Sequence, residues 1–163
     1  VLLQSGFAEP AAANPQGAVV MGGAAQIVQT TPSRLDINQS SNRAVIDWHS
    51  FSVGAGETTN FNQPSSSSLA VNRVTGANPS DIAGRITANG QIVLVNPNGI
   101  VIQRDSRIDA ASFVATTSGI SVGDAMAGRL AFTRPSTAST ASIVNRGRIT
   151  VKQGGLAALV APG

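Results

Sequence analysis

Few side chains in this sequence stand at spacings that do chemistry. Asp47 and His49 are two apart and would share one face of a strand. With one of the many serines they could form an acyl-transfer triad. No Gly-x-Ser-x-Gly elbow is present, and His49 is the single histidine, so a structural histidine is the favoured reading. The segment Gly54-Ala55-Gly56-Glu57-Thr58-Thr59 has the glycines of a phosphate loop. It lacks the Lys that reaches the phosphates, and a turn between strands accounts for both glycines. The eight carboxylates never cluster, so paired acid–base catalysis and calcium loops find no support. The sequence has no cysteine, which excludes disulfides and thiolate metal sites. The expectation is a protein that is not an enzyme, with no cofactor, no metal and no small-molecule substrate.

One pentapeptide stands apart, Asn96-Pro97-Asn98-Gly99-Ile100. Pro fixes φ and removes a donor, Asn-Gly tolerates positive φ, and the Asn amides can bond the local backbone. A β-turn satisfies all of this. A pentapeptide is also easily recognised by another protein, and the residues alone leave both readings open.

The elements that would carry these residues are strands. The chain has 163 residues, enough for one domain with a real core. Apolar residues make up 42% and charged residues 12%, a balance that suits disorder badly. No apolar run approaches the ~18 residues of a membrane span. Net charge is +3, but the arginines are scattered singly and aromatics are only 4%, unlike a nucleic-acid binder. Gly and Pro interrupt the chain often, with Val and Ile between them, which predicts short strands joined by turns. Candidates run over Ala24–Gln29, Arg34–Gln39, Ala44–Val53, Glu57–Gln63, Leu69–Val74 and Gln91–Val95. The Ala44–Val53 stretch has apolar groups on both parities. Asn89-Gly90 and Asn98-Gly99 signal tight turns, but without clean hairpin alternation, so a winding chain competes with hairpins.

An internal repeat favours winding. Gly84-Arg85-Ile86-Thr87 recurs as Gly147-Arg148-Ile149-Thr150, offset by 63 residues. Arg107-Ile108 is a third partial copy. The offset is close to three turns of about 21 residues, the period range of a solenoid. Nothing after Gly147 resembles a cap, so the chain is expected to begin a longer repetitive protein, with the part before Gly84 as the N-terminal cap. Residues 1–13, an apolar stub ending in Ala11-Ala12-Ala13, read as a signal-peptide remnant or a disordered terminus.

Four ordered stretches carry a family resemblance. They are Ile37-Asn38-Gln39-Ser40-Ser41-Asn42-Arg43-Ala44-Val45-Ile46-Asp47-Trp48 with Phe51-Ser52-Val53; Phe61-Asn62-Gln63-Pro64-Ser65; Asn72-Arg73-Val74 through Ile82-Ala83-Gly84; and Asn89-Gly90-Gln91 running into Asn96-Pro97-Asn98-Gly99-Ile100. From about Gly17 to Gly163 the chain resembles the secretion domain of two-partner-secretion exoproteins of the filamentous-haemagglutinin and high-molecular-weight-adhesin type. The resemblance implies an all-β, right-handed parallel β-helix with an N-terminal β cap and small extra-helical antiparallel sheets. Residues 14–163 would form the domain, about 14–83 as cap and early coils and 84–163 as β-helix coils.

The resemblance also implies a secretion signal on an exoprotein that reaches the cell surface or medium of a Gram-negative bacterium through the periplasm. Its partner would be a cognate outer-membrane β-barrel transporter, met through periplasmic POTRA domains, and the domain itself would be a monomer without nucleic acid. The family's turn motif maps onto Asn96, Pro97, Asn98, Gly99 and Ile100. The segment Asn38, Gln39, Ser40, Ser41, Asn42 and Arg43 occupies the place of a second Asn-containing motif but lacks its Asn-Pro-Asn-Leu. After Ile100 the family often continues into Phe-Gly, where this chain has Val101-Ile102. A directly acting adhesin or carbohydrate-binding β-solenoid is the competing reading.

Overall fold

The computed structural model describes residues 14–135 and 140–162. The reading of residues 1–13 lies outside the described residues. The chain winds into a parallel β-helix with three faces. The first face joins β2 (Ala25–Thr31), β3 (Arg34–Gln39), β5 (Thr58–Asn62), β8 (Arg85–Ala88), β11 (Arg107–Ala110) and β14 (Arg148–Val151). The second joins β1 (Val19–Gly22), β4 (Arg43–Trp48), β6 (Leu69–Val74), β9 (Gln91–Val95), β12 (Ser112–Thr116) and β15 (Ala157–Val160). The third is β7 (Ser80–Ile82), β10 (Ile100–Ile102) and β13 (Ile143–Asn145). Strand pairing is parallel except for β1 with β4 and β2 with β3, the antiparallel pairs that form the cap. Among the described residues, isolated antiparallel bridges also join Gln16 to Ser50 at the cap and Gly119 to Arg134 in the segment after β12.

The first face shows why alternating residues make this fold. Ile86, Ile108 and Ile149 lie in register and point inward, while Arg85, Arg107 and Arg148 lie in register and are exposed. Each winding stacks an apolar side chain on the one before it. The core so formed includes Ile37, Phe61, Ile86, Ile92, Leu94, Ile100, Ile102 and Phe113, all at most 1% exposed. Trp48 and Phe51 meet edge-to-face near the cap, with centroids 5.6 Å apart.

The second face is apolar on both sides. Its inner side carries Ile46, Ala70, Ile92 and Phe113. Its outer side carries an in-register valine ladder, Val45, Val71, Val93 and Val114. The segment between β12 and β13 leaves the coil and covers this ladder with Ile120, Val122, Ala125, Met126 and Phe132. That excursion includes a single five-residue helix, α1 (Val122–Met126), whose N-cap Ser121 accepts from the Asp124 backbone N–H. A sheet buried on both faces reads as continuous apolar sequence, as in Ile92-Val93-Leu94-Val95.

Two expectations are corrected. Arg107 pairs with both Arg85 and Arg148, so the 63-residue offset spans two windings, not three. The first takes 22 residues and the second 41, because the second contains the excursion. The strand expected over Ala44–Val53 ends at Trp48. There the chain turns, His49 N–H donating to Gln16, and Val53 re-enters the third face by a bridge to Ile82.

Candidate functional site

The corners between faces hold the polar residues that the sequence singles out. Between the second and third faces, Asn96 to Gly99 close a β-turn in which Gly99 N–H donates to the Asn96 carbonyl at 3.1 Å. Gly99 has φ 112°, a conformation that disfavours other residues. The Asn96 side chain is fully buried and uses both ends of its amide. Its Nδ2 donates to the Asn78 carbonyl at 3.0 Å and to Ser80 Oγ at 2.9 Å. Its Oδ1 accepts from Asn98 N–H at 2.9 Å and from Asn98 Nδ2 at 3.0 Å. Asn98 Nδ2 also donates to the Gly76 carbonyl at 2.8 Å. Asn96 therefore clasps the corner to the winding below. Gly99 and Ile100 are buried as well, and Pro97 and Asn98 are the half-exposed members of the motif.

The corner between the first and second faces is built from a stack of amides. Gln39 Nε2 donates to the carbonyls of Ser41 and Leu69, at 2.7 and 3.1 Å. One winding on, Gln63 Nε2 donates to Gln39 Oε1 at 3.4 Å, and Gln63 Oε1 accepts from Gly90 N–H at 2.8 Å. Asn89 closes the stack, its side chain pairing with both the N–H and the carbonyl of Gln63 at 2.8 and 2.7 Å. Buried amides without such partners would each cost about 1–3 kcal/mol. These bonds fix the register of successive windings.

The Asn38–Arg43 segment divides by role. Asn38 is exposed and accepts from Asn62 Nδ2 at 2.7 Å. Ser40 N–H donates to the Ala24 carbonyl, and Ser41 Oγ accepts from Ala24 N–H and donates to the Arg43 carbonyl, which ties the cap strand down. The Asn42 side chain accepts from Ser68 Oγ at 3.2 Å. Arg43 reaches across the outer surface to donate to the Met126 carbonyl of α1 at 3.2 Å.

Asp47 and His49 are not brought together for chemistry. Arg73 holds Asp47 with two bonds of 2.7 and 2.9 Å and donates to the Ile120 carbonyl, while His49 lies exposed beyond the strand's end. Among the described residues no group of three or more His, Cys, Asp or Glu is placed to hold a metal ion. The Asp36 carboxylate sits among hydrogen-bond donors. Hydrogen bonds from Arg34, outweighing its burial, together with those from Thr30 and Asn60, lower its pKa from 3.8 to about 2.

Spacing alone did not single out the amide stack or the Asp47–Arg73 pair, because each joins residues about 26 apart in sequence. The Gly-Arg-Ile-Thr repeat does explain itself in the structure. A Cβ at Gly84 would lie 2.2 Å from the Gly54 carbonyl oxygen and 2.4 Å from that of Glu57, so the corner requires glycine. Arg then faces out, Ile in and Thr out.

The fold and these corners define a capped β-solenoid whose singled-out polar motifs are largely consumed in joining one winding to the next. The TPS (two-partner-secretion) secretion domain family matches residues 11–162, and the chain belongs to that family. It is a family of secretion domains. The HMW1 secretion domain from Haemophilus influenzae superposes with a TM-score of 0.83 at 34% identity, over 92% of this chain and 41% of that one. Two heme/hemopexin-binding proteins of Haemophilus influenzae are 43% and 41% identical over 106 residues, 65% of this chain. Those residues span only 12% and 11% of the two relatives.

Proposed function

We propose that this domain is the export signal of a large exoprotein, bringing it to a cognate TpsB transporter in the outer membrane and starting the growth of its β-helix. The observation that carries this reading is the match of residues 11–162 to a secretion domain over a capped parallel β-helix. The domain acts as a monomer, catalyses no reaction, and meets the transporter through its periplasmic POTRA domains. The exported protein reaches the cell surface or the medium.

Folding itself supplies a direction. Each winding that forms outside the cell buries apolar side chains on the one before, which opposes backward movement without nucleotide. The half-exposed Pro97 and Asn98 are the part of the turn motif that a partner can reach. Exposed strands of the cap, such as β2, offer an edge for strand addition.

The test is secretion. The fragment, preceded by a signal peptide, is expressed with and without its transporter, and medium and periplasm are assayed. Transporter-dependent release is the expected result. Release that ignores the transporter would overturn the reading.

A further inference from the structure

The arginines of the repeat form a charge ladder that the fold does not neutralise. Arg34, Thr58, Arg85, Arg107 and Arg148 occupy one column across the first face, in register from strand to strand. At the cap end Arg34 is paired with Asp36 at 3.0 Å. Arg85, Arg107 and Arg148 stand on three consecutive windings, about 4.8 Å apart, exposed, and with no ion pair among the described residues. Like charges directly opposite each other on a sheet are destabilising. Placing Ile at the alternate positions accounts for the buried side of this column. It does not call for Arg on the outer side, where Thr58 serves equally well on an earlier winding.

We infer that Arg85, Arg107 and Arg148 are a docking stripe for an acidic protein surface, namely one on the periplasmic part of the transporter. This rests on the export reading above. Two features favour a protein over a lipid surface or a polyanion. All three positions carry Arg, whose planar fork fits individual carboxylates with two parallel bonds. The surroundings are also of mixed sign: Glu57 and Asp105 line the same groove of about 320 Å³ as Arg85 and Arg107, and exposed Asp109 stands two residues from Arg107. A uniformly anionic surface would be repelled by these carboxylates, whereas a protein can set its acids against the arginines alone. The ladder straddles the third, fourth and fifth windings, so it is complete only when those windings have stacked. A partner that binds all three thereby reads a folded helix.

The experiment measures binding of the purified fragment to the isolated periplasmic domains of its transporter over a range of salt. The variants are Arg85→Gln/Arg107→Gln/Arg148→Gln and the matching triple Arg→Lys. The Gln variant should bind roughly tenfold more weakly with a flatter salt dependence. The Lys variant should fall between it and the parent. Both should keep the parent's β-sheet circular dichroism, with thermal stability of the Gln variant equal or higher because repulsion is relieved. Equal binding by parent and Gln variant would overturn the stripe while leaving the export reading intact. Failure of the parent itself both to bind and to be released by the transporter would remove the export reading and the stripe with it. Ladder-dependent binding to phosphatidylglycerol vesicles, without binding to the periplasmic domains, would overturn the protein-partner assignment.

Discussion

Replacing Asn96 by Ala separates a motif that builds the domain from one that is read by a partner. The substitution removes four hydrogen bonds at a side chain with no exposure. Asn78 and the Asn98 side chain lie near the surface and regain water. The Ser80 hydroxyl is fully buried and loses the N–H from which its oxygen accepts, and Asn98 N–H loses the oxygen to which it donates. Two such groups at about 1–3 kcal/mol each give a loss of roughly 2–6 kcal/mol. For a chain of this size that lowers Tm by roughly 5–20 °C. Thermal melting by circular dichroism, run beside the secretion assay, reads both consequences. Asn96→Ala should melt early and be released poorly, and its release should improve at lower growth temperature. Asn98→Ala removes a half-exposed amide and should affect stability less. A variant at Asn96 with the parent's Tm but no release would refute the reasoning, since it would make the buried amide a contact and not a clasp.

Three further outcomes are expected. Gly84→Ala should destabilise the domain by about 3 kcal/mol and lower Tm accordingly, because its Cβ meets backbone oxygens that cannot move aside; Gly123→Ala, with open space around it in α1, should be neutral or slightly stabilising in the same melts. Asp36 has a folded pKa below its unfolded value, so its contribution is present above about pH 4 and lost as pH falls towards 2. Asp36→Asn should flatten the pH dependence of Tm in that window, and by no more than about 1–2 kcal/mol given the exposed Arg34 partner. Asn72→Ala leaves the buried Trp48 Nε1–H without its 2.9 Å acceptor and should cost about 1–3 kcal/mol in denaturant unfolding followed by Trp48 fluorescence.

Much of the coil was legible in the residues. Arg34–Gln39, Leu69–Val74 and Gln91–Val95 are strands with the bounds that their patterns predict. Alternation supplied the first of these, and the aliphatic run Ile92–Val95 the last. The strand predicted over Ala44–Val53 was too long because Phe51 and Val53 keep the parity of Asp47 although the chain has turned. Local pattern cannot register a corner that His49 makes by bonding to Gln16, far back in the cap. The excursion was hidden for a similar reason. Its helix is one short turn that opens on three weak formers, Val122-Gly123-Asp124, and it is held by packing in the cluster of the valine ladder. The apolar residues on both parities of β4 did announce that something covers the second face, but not which segment. As for the site, the Asn96–Ile100 turn was visible from its residue types, whereas the burial of Asn96 depends on Asn78 and Ser80 of the preceding winding.

The excursion also changes how the molecule comes apart. A solenoid whose windings touch only their neighbours can fray from either end, each winding exchanging its amide protons on its own. Here Arg43 on the first winding grips Met126, and Arg73 on the second grips Ile120, both in the excursion of the fourth. Chain from the fourth winding is thus fastened to chain from the first two. Amide exchange across β4, β6, β9 and β12 should accordingly converge on a single opening free energy, and deleting the contacts of Arg43 and Arg73 should split it into a gradient along the axis. The strap turns a stack of additive repeats into one cooperative unit.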